Sequence, residues 1–359
     1  MVPRPTLQTV ADAVGVSRST VSNAYSRPDQ LSPELRDRIL SAAERLGYAG
    51  PHAGARSLRT GSVGAIGVLF TDDLVKAFTD PFAVQFLSGL AASAQRHDVG
   101  VLLLPLSSRD ERDAEETVRN AVVDGFCSYC VPDWHTSWKA VAARGLPMVA
   151  AESRGQQGPG LFFVGVDEAK ATRSAGEHIA RLGHRRIAII GEWLKAEREA
   201  VSVTLDGPDD IPYYVSRERL RGYWQAFEAA GIRWQDILTI NVSGNSKAEG
   251  AASAAYALDR ADRPTAILAL TDLQALGVMD ALRQRGLEPG RDVSVVGFDD
   301  LPEAGAAGLT TIRQPAQERG RLAGELLLDP SARPADGQVV LPTELIVRAS
   351  TGPVPTRSM

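Results

Sequence analysis

The 359-residue sequence predicts a small all-α head followed by a larger α/β domain of two lobes. In the first fifty residues, apolar positions at helical spacing are interrupted by a glycine turn, which is typical of a helix-turn-helix. From about residue 63 onward, short apolar runs alternate with amphipathic segments in two successive blocks. Such alternation is typical of parallel, Rossmann-like sheets covered by helices on both faces.

The head begins with two short helices joined by a tight turn. Thr6 is a capping residue for the first helix, Gly15 marks the turn, and Ser17 opens the second helix. The inward positions of the two helices are apolar: Leu7, Val10, Ala11 and Val14, then Val21 and Ala24. The second helix of such a unit enters the major groove of DNA, so the head is predicted to bind DNA.

A third helix and a linker complete the first sixty residues. Ser32 precedes Pro33, which suits the first helical position, and Gly47 follows the last turn. The apolar face of this helix comprises Leu35, Ile39, Ala42, Ala43 and Leu46. Residues 51–62 are rich in Gly and Pro and predict a linker, within which 53–58 are long enough for a helical turn or two.

Polar side chains of the head are candidates for contacts with DNA. Arg18 can form paired hydrogen bonds with guanine and Asn23 with adenine, and each good pair discriminates between bases by roughly 1–3 kcal/mol. Ser17 also fits a simpler role as a helix cap, and the two roles are compatible. The DNA-contacting residues predicted in the head are Thr6, Ser17, Arg18, Ser19, Thr20, Ser22 and Asn23.

Charge is distributed unevenly along the chain. The net formal charge is −5, yet residues 1–62 hold eight arginines and five acidic residues, which gives this part +3 and leaves −8 for the remainder. A basic head on an acidic body is typical of a protein that contacts DNA through the head alone. No apolar run could span a bilayer and no signal peptide is recognisable, so a cytoplasmic location is expected, nucleoid-associated when DNA is bound.

The sequence beyond residue 63 predicts two α/β blocks. The first predicts strands at 65–70, 99–104, 125–131 and 146–151, with helices near 82–96, 110–123 and 136–144. The second predicts strands at 162–166, 186–190, 237–241, 265–270 and 293–298, with helices at 168–182, 217–230, 246–260 and 272–285. Open α/β sheets bind ligands at the carboxyl ends of their strands, so the cleft between the lobes is the expected ligand site.

Signals for enzymatic or metal chemistry are weak. Cys127 and Cys130 form a C-x-x-C pair, but on the predicted strand they point to opposite faces, which favours core packing over redox or metal chemistry. His178 and His184 are interpreted as structural or capping residues. No P-loop, G-x-S-x-G or H-E-x-x-H motif occurs, so neither an enzyme nor a cofactor is expected.

The sequence resembles the lactose/galactose repressor (LacI/GalR) family of bacterial transcription regulators over nearly its whole length. The motif Val10-Ala-Asp-Ala-Val-Gly-Val-Ser-Arg-Ser-Thr-Val-Ser-Asn23 carries the first match. Further matches follow in order at 42–48, 55–58, 178–187, 219–223, 264–267, 293–300, 309–315 and 344–351. So many ordered matches make coincidence implausible.

The resemblance implies a repressor that acts as a homodimer, or in some members as a dimer of dimers, on a pseudo-palindromic operator. It also implies a periplasmic-binding-protein-like effector domain that closes around a small molecule. A sugar or sugar derivative is the first expectation for this effector, and a nucleoside or purine is the alternative. A solute-binding protein for transport is a further alternative, against which the DNA-binding head argues.

The implied domains are a helix-turn-helix unit at 1–50, a hinge at 51–62 and an effector-binding and dimerisation domain at 63–359. Lobe one is expected to hold about 63–164 and 315–328, and lobe two about 165–312 and 339–351. Ala55 and Leu58 match the hinge helix, where leucines wedge into the minor groove of the operator. An ordinary linker leucine that packs on the body is the alternative for Leu58.

The resemblance also suggests which residues bind the effector. An arginine fork suits hydroxyl groups or a carboxylate, and carboxylates accept hydrogen bonds from hydroxyls. The predicted effector-binding residues are Phe82, Glu152, Arg219, Thr271, Asp272, Asp299 and Gln314. Asp272 also fits a capping role on the helix that it precedes.

The chain departs from the family pattern at several places. Asn23 stands where many members have arginine, and Thr271 replaces the more usual Asn or Ser. The stretch 192–215 is longer than the usual loop and is interpreted as a functional flap or a dimer-edge loop. These departures leave the operator sequence and the effector open.

Overall fold

A computed structural model of the chain describes residues 5–50, 61–71, 74–106, 111–154, 158–195 and 201–355. Its contacts divide the chain into two compact units, Met1–Gly64 and Ala65–Met359. None of the helices in these ranges is both long and apolar enough to cross a membrane.

Three helices form the first unit: α1 (Leu7–Val14), α2 (Arg18–Ser26) and α3 (Pro33–Arg45). Helix α1 ends at Gly15, whose φ of 75° is the left-handed conformation that glycine adopts readily and that turns the chain toward α2. The shared core contains Val10, Ala11, Val21, Ala24, Ile39 and Ala43. Leu46, expected in this core, is 38% exposed because it lies at the C-cap of α3, beyond the last turn that packs inward.

The second unit contains two sheets, each at the centre of one lobe. The first sheet has six parallel strands, in spatial order β12 (Gln338–Leu341), β5 (Leu161–Val166), β4 (Met148–Ala150), β3 (Gly125–Tyr129), β1 (Ala65–Phe70) and β2 (Gly100–Pro105). The helices of this lobe are α4 (Lys76–Thr79), α5 (Pro81–Arg96), α6 (Glu111–Asn120), α7 (Ser137–Arg144) and α13 (Ala316–Leu328). These elements form lobe one.

The second sheet has seven strands, in spatial order β13 (Glu344–Ile346), β11 (Thr310–Arg313), β10 (Ser294–Asp299), β9 (Ala266–Ala269), β6 (Ile187–Glu192), β8 (Leu238–Val242) and β7 (Val201–Val203). The five inner strands are parallel, whereas the edge strands β13 and β7 are antiparallel to their neighbours. The helices of lobe two are α8 (Glu168–Arg181), α9 (Tyr214–Ala229), α10 (Lys247–Leu258), α11 (Asp272–Gln284) and α12 (Pro302–Ala307).

The chain passes between the lobes after β5, after β11 and after β12. The expected assignment of 339–351 to lobe two is therefore wrong in its first residues. Gln338–Leu341 pairs in parallel with Phe163–Val166 and completes the edge of the first sheet. The chain reaches lobe two only at β13, which pairs with β11.

Helices α5 and α13 lie in close contact on one face of the first sheet. A Cβ atom on Gly89 would come within 1.8 Å of the backbone oxygen of Gln317, and one on Gly320 within 1.9 Å of the backbone oxygen of Phe86. The two helices approach this closely because each has a glycine where their backbones meet. This packing fixes the N-terminal ends of both helices relative to each other. Helix α5 begins beside the inter-lobe cleft, and α13 follows the second crossover.

Candidate functional sites

A cavity of about 70 Å³ lies between the lobes, at the carboxyl ends of strands from both sheets. Lobe one contributes Phe70, Lys76, Asp80, Phe82, Ala83, Tyr129, Cys130 and Glu152 to its lining. Lobe two contributes Glu192, Tyr213, Val215, Ser216, Arg219, Asn245, Leu270, Thr271 and Asp299, and Gln314 lies at the second crossover. This is the position where open α/β sheets bind ligands.

The structure brings together six of the seven residues predicted to bind the effector. The six that line the cavity are Phe82, Glu152, Arg219, Thr271, Asp299 and Gln314. Five of them follow a strand or begin a helix at the cleft, which explains why a reading of strand ends could find them.

Asp272 is the exception, because its side chain is fully buried and does not line the cavity. Its Oδ1 accepts a hydrogen bond from Thr311 Oγ1 at 2.5 Å, and its Oδ2 accepts one from the backbone N–H of Leu301 at 2.8 Å. Burial raises the pKa of Asp272 to about 6. The carboxyl group thus joins α11 to β11 and to the start of α12. This placement does not support the predicted contact with the effector, which stays a prediction.

Arg219, on α9, is a buried cation held by several partners. Its Nε donates to Glu168 Oε2 at 2.8 Å, its Nη1 donates to the backbone oxygen of Leu270, and its guanidinium lies 3.6 Å from the ring centroid of Phe298. Burial alone lowers the pKa of Arg219, but the negative charges of Glu168 and Asp299 outweigh it and raise that pKa. The guanidinium therefore stays charged and is fixed in orientation at the cavity wall.

A chain of buried hydrogen bonds connects the two lobes beneath the cavity. Arg319 Nε donates to the backbone oxygen of Ala151 in lobe one, and Arg319 Nη1 donates to Gln314 Oε1 at 2.9 Å. Gln314 Nε2 in turn donates to Asp299 Oδ1 at 2.7 Å in lobe two. Burial raises the pKa of Asp299 well above its ordinary value, against the lowering effect of Arg219. The side-chain amide of Gln314 thus links Arg319 on α13 to the carboxyl group of Asp299.

Glu152 accepts hydrogen bonds from both lobes. The backbone N–H of Cys130 donates to its Oε2 at 2.8 Å, and the hydroxyl of Tyr213 donates to the same oxygen at 3.1 Å. Burial raises the pKa of Tyr213 well above its ordinary value, so the phenol remains a donor. Sequence reasoning missed Tyr213, which lies inside the long 192–215 stretch and not at a strand end.

Asp80 and Asn245 are two further polar residues that the sequence analysis missed. Asp80 Oδ1 accepts from the backbone N–H of Phe82 at 2.9 Å and caps α5, while Asn245 Nδ2 donates to Asp80 Oδ2 at 3.3 Å. Thr271 Oγ1 donates to Asn245 Oδ1 at 2.7 Å. Burial raises the pKa of Asp80. Asp80 before Pro81 is a cap signal that could have indicated the first residue, whereas Asn245 carries no local signal.

Acidic side chains outnumber basic ones around the cavity. Asp80, Glu152, Glu192 and Asp299 line it, together with the cations Lys76 and Arg219. Aromatic rings form part of the same lining, and Phe82 lies 6.4 Å from Tyr129 between ring centroids. Such a wall offers many acceptors for hydroxyl groups and apolar surface for the face of a ring.

The long 192–215 stretch forms the edge of the second sheet and part of the cavity wall. Its strand β7 pairs antiparallel with β8, and its two ends supply Glu192 and Tyr213 to the cavity. The backbone N–H of Leu194 donates to Asn241 Oδ1 at 2.9 Å and fixes the first end. Its interpretation as a functional flap or a dimer-edge loop stays a prediction.

The predicted DNA-contacting residues of the head lie at the N-terminal caps of α1 and α2 and along α2. Ser17 caps α2 by accepting from the backbone N–H of Thr20 at 3.1 Å, and Thr6 caps α1 in a reciprocal pair with Thr9. Arg18 and Ser19 are exposed in the first turn, whereas Thr20, Ser22 and Asn23 are half-buried. Asn23 Nδ2 contacts Gln30 Oε1 at 3.4 Å. Ala55 and Leu58 lie outside the described residues.

Cys127 and the two histidines have structural surroundings, whereas Cys130 follows β3 and lines the cavity. Cys127 is buried in the core of lobe one, and burial raises the pKa of its thiol. His184 is buried, with Nδ1 3.0 Å from Thr265 Oγ1 and Nε2 3.0 Å from the backbone oxygen of Gly352. His178 Nε2 lies 3.0 Å from Thr351 Oγ1. Both histidines thus anchor the C-terminal segment on lobe two, which agrees with their structural interpretation.

Comparison with known proteins agrees with this architecture. The family described as bacterial regulatory proteins, lacI family, matches residues 6–50, and a periplasmic binding protein-like domain matches residues 177–351. A helix-turn-helix-type transcriptional regulator of Mycobacterium tuberculosis is 38% identical over 351 residues, which cover 98% of both chains.

Two solved structures extend the similarity to the whole fold. A complex of the transcriptional regulator CelR with cellobiose is 27% identical, with a TM-score of 0.68 over 97% of this chain and 100% of that one. The Lac repressor dimer bound to operator and the anti-inducer ONPF is 25% identical, with a TM-score of 0.75 over 98% of this chain and 100% of that one. The chain therefore belongs to the LacI family of helix-turn-helix transcriptional regulators, and it is a DNA-binding regulator rather than an enzyme.

Proposed function

We propose that this regulator is a ligand-responsive repressor that binds a pseudo-palindromic operator as a dimer in the cytoplasm. Its effector would be an uncharged sugar or sugar derivative, bound in the cavity between the lobes. The observation that carries the proposal is the convergence of six predicted effector residues on that cavity, in a chain whose head is a LacI-type helix-turn-helix.

The chemistry of the cavity supports a polyhydroxylated ligand. Carboxylates such as Glu152 and Asp299 accept hydrogen bonds from hydroxyl groups, and the fixed fork of Arg219 can donate to ring or hydroxyl oxygens. The face of Phe82 suits the apolar face of a sugar ring. A phosphorylated ligand is disfavoured, because its charge would lie among four acidic side chains, against only two cations, Lys76 and Arg219.

The head supports operator recognition by direct contact with bases. Arg18 and Ser19 are exposed at the start of α2, the helix that enters the major groove in helix-turn-helix proteins. The related Lac repressor binds its operator as a dimer, and two heads reading two half-sites explain why such operators are pseudo-palindromic.

Closure of the lobes offers a physical route from ligand to DNA. A ligand that contacts both lobes favours the arrangement in which its contacts are best, and the Arg319–Gln314–Asp299 hydrogen bonds couple the cavity to the second crossover. Thermodynamic linkage then requires the ligand to change operator affinity by the factor by which the operator changes ligand affinity.

A thermal-shift screen followed by operator release tests the proposal. The purified full chain would be heated with sugars, polyols, sugar phosphates and nucleosides, and a ligand at a hundred times its Kd should stabilise it by about 2.7 kcal/mol. Each hit is then titrated into the protein–operator complex, and release of DNA is expected. Stabilisation by nucleosides alone would contradict a sugar effector and favour a nucleoside or purine. A ligand that stabilises the protein but leaves operator affinity unchanged would contradict the regulatory role.

A further inference from the structure

Three aromatic side chains form a cluster that runs from the cavity wall at Tyr213 to an exposed position at Trp134. Trp134, from lobe one, lies edge-on to Trp193 with ring centroids 5.6 Å apart, and Trp193 lies 6.2 Å from Tyr213. Trp193 and Tyr213 are buried and belong to the two ends of the long 192–215 stretch, whereas Trp134 is 44% exposed. We name Trp134, Trp193 and Tyr213 the aromatic roof.

Polar contacts hold the aromatic roof from both sides. Arg217 Nη2 contacts Asp133 Oδ2 at 3.3 Å across the cleft, and Ser153 Oγ donates to Asp133 Oδ1 at 2.5 Å. Arg217 Nη1 donates to the backbone oxygens of Ile211 and Pro212, each at 3.0 Å, which fixes the segment just before Tyr213. The roof is thus attached to lobe one next to Trp134 and to lobe two next to Tyr213.

We propose that the aromatic roof limits the effector to a single sugar or polyol ring and excludes disaccharides. This inference rests on the proposed function and specifies the size of the ligand that the cavity takes. It also makes Trp134, Trp193 and Tyr213 determinants of specificity, although none of them was indicated by the strand-end positions that the sequence analysis used.

The dimensions of the cavity support a small ligand. Its volume of about 70 Å³ is far below the roughly 300 Å³ at which pockets for drug-sized ligands begin. At the second crossover the cavity is lined by Gln314, whose side chain is hydrogen-bonded to Arg319 and to Asp299. Tyr213, which donates to Glu152, forms one part of the cavity wall, and Trp193 and Trp134 continue from it toward the surface.

A second sugar ring that extends past Tyr213 would have to pass through the aromatic roof. That passage requires Trp134 to separate from Trp193 and the Asp133–Arg217 pair to open, although both side chains of the pair are only about one-fifth exposed. A ligand that is confined to the residues lining the cavity leaves both of these contacts in place, because Trp134, Trp193, Asp133 and Arg217 are not among them. The roof therefore lowers the affinity for long ligands and leaves the affinity for short ligands unchanged.

The test compares affinities for one-ring and two-ring ligands by calorimetry on the full chain. The panel contains hexoses, pentoses and cyclic polyols on one side, and cellobiose and maltose on the other. Trp134→Ala opens the roof at an exposed position, and Asp133→Ala/Trp134→Ala also removes the ion pair. Tyr256→Ala is the matched control, since Tyr256 is a 46% exposed aromatic residue on α10.

Wild type and Tyr256→Ala should bind a one-ring ligand and bind disaccharides at least a hundredfold more weakly. The roof variants should gain at least tenfold in disaccharide affinity while one-ring affinity changes less than threefold. Comparable binding of cellobiose or maltose by wild type overturns the inference but leaves the sugar-responsive regulator intact, as does a roof variant that gains nothing. Absence of binding across the whole panel in every variant overturns the inference and the proposed sugar effector together.

Discussion

At the scale of single residues, the cavity is organised by side chains that are themselves held by buried partners. Arg219 is oriented by Glu168 and by the ring of Phe298, and Glu152 by the backbone of Cys130. Asp299 has a φ of 129°, a backbone conformation that is costly for a residue with a side chain and that directs its carboxyl toward Gln314. Such fixed donors and acceptors lose little entropy when a ligand binds.

Replacement of Arg219 by lysine should separate ligand binding from DNA binding. Lysine keeps a positive charge beside Glu168, but it lacks the planar fork and the stacking on Phe298. Loss of a charged hydrogen bond predicts ligand affinity about tenfold weaker or worse, with operator affinity of the ligand-free protein unchanged. Calorimetry and a gel-shift titration measure the two. Arg233→Lys, at an exposed pair with Asp236, is the control, and equal ligand binding by both variants would exclude Arg219 from the site.

Arg18→Ala should reduce the ability of the head to distinguish its operator from other DNA. The side chain is exposed in the first turn of α2 and does not belong to the hydrophobic core of the head, so the fold should be unaffected. A lost bidentate contact with guanine predicts about 1–3 kcal/mol less discrimination between operator and scrambled DNA. Arg36→Ala, an exposed arginine on α3, controls for charge alone. If Arg18→Ala retains full discrimination in fluorescence-anisotropy titrations, it does not read a base.

At the scale of elements, the pair α5 and α13 sets the geometry of lobe one. Both helices have glycine at their contact, and both lead directly to the cleft, where Asp80 caps α5 and Gln314 precedes α13. Glu325 on α13 adds a polar connection, since it accepts hydrogen bonds from Ser93 and Arg96 and lies 3.2 Å from His97. The separation of these helices therefore fixes the distance between two parts of the cavity wall.

Gly320→Ala should destabilise lobe one. The added Cβ would lie 1.9 Å from the backbone oxygen of Phe86, and a backbone atom cannot move aside as a flexible side chain can. Overpacking of this kind predicts a loss of about 3 kcal/mol in the free energy of unfolding, read from urea denaturation. Gly305→Ala on α12 is the matched control, because its nearest neighbour would be Arg348 Nη2 at 3.9 Å. Equal stability of the two variants would show that α5 and α13 can separate freely.

Glu325→Gln should lower stability at neutral pH but not in strong acid. Burial alone raises the pKa of Glu325, but the hydrogen bonds from Arg96, His97 and Ser93 outweigh it and lower that pKa to about 2. Because the folded pKa lies below the unfolded value, this stabilisation is complete above about pH 4.5 and is lost as the pH falls toward 2. Urea unfolding of wild type and variant should therefore differ most at pH 7, and the difference should disappear as the pH falls through about 2. Glu177→Gln, at an exposed pair with Arg173, should show little difference at any pH.

At the scale of the whole molecule, the head that binds DNA and the body that contains the ligand cavity carry net charges of opposite sign. Residues 1–62 carry +3 and the remainder −8, so attraction to DNA is confined to the head while the body repels the phosphate backbone. The ligand cavity lies between two lobes of the acidic body, and its ligand is proposed to be uncharged. The two equilibria should therefore respond differently to ionic strength.

Raising the salt concentration from 50 to 200 mM should weaken operator binding by at least about tenfold, because binding releases counterions from the phosphates. Ligand affinity over the same range should change by less than about twofold, because no net charge is neutralised on binding. Parallel anisotropy and calorimetric titrations measure both. A ligand affinity that falls in step with operator affinity would indicate a charged effector and contradict the proposed class.

Local patterns in the sequence determined the helix-turn-helix and most of the order of strands and helices, and together with the family resemblance they indicated six residues of the cavity. Periodicity and caps act within one element, and the carboxyl ends of parallel strands must meet at one edge of a sheet. Phe82, Glu152 and Thr271 could therefore be found without knowing what they face, whereas Arg219, inside α9, was indicated by the family resemblance. The core of the head was predictable for the same reason, because Val10, Val21 and Ile39 recur at helical spacing.

Only the tertiary structure decided which side chains meet. Tyr213 reaches Glu152 across 61 positions of sequence, and Asn245 reaches Asp80 across 165. Contacts between distant parts of the chain also bury Asp272 against Thr311 and place β12 in the first sheet. Neither outcome was predictable, although both segments lie next to residues whose positions were. The physical reason is that a short segment encodes its own backbone conformation, whereas the direction and burial of a side chain depend on elements that pack against it from distant parts of the chain.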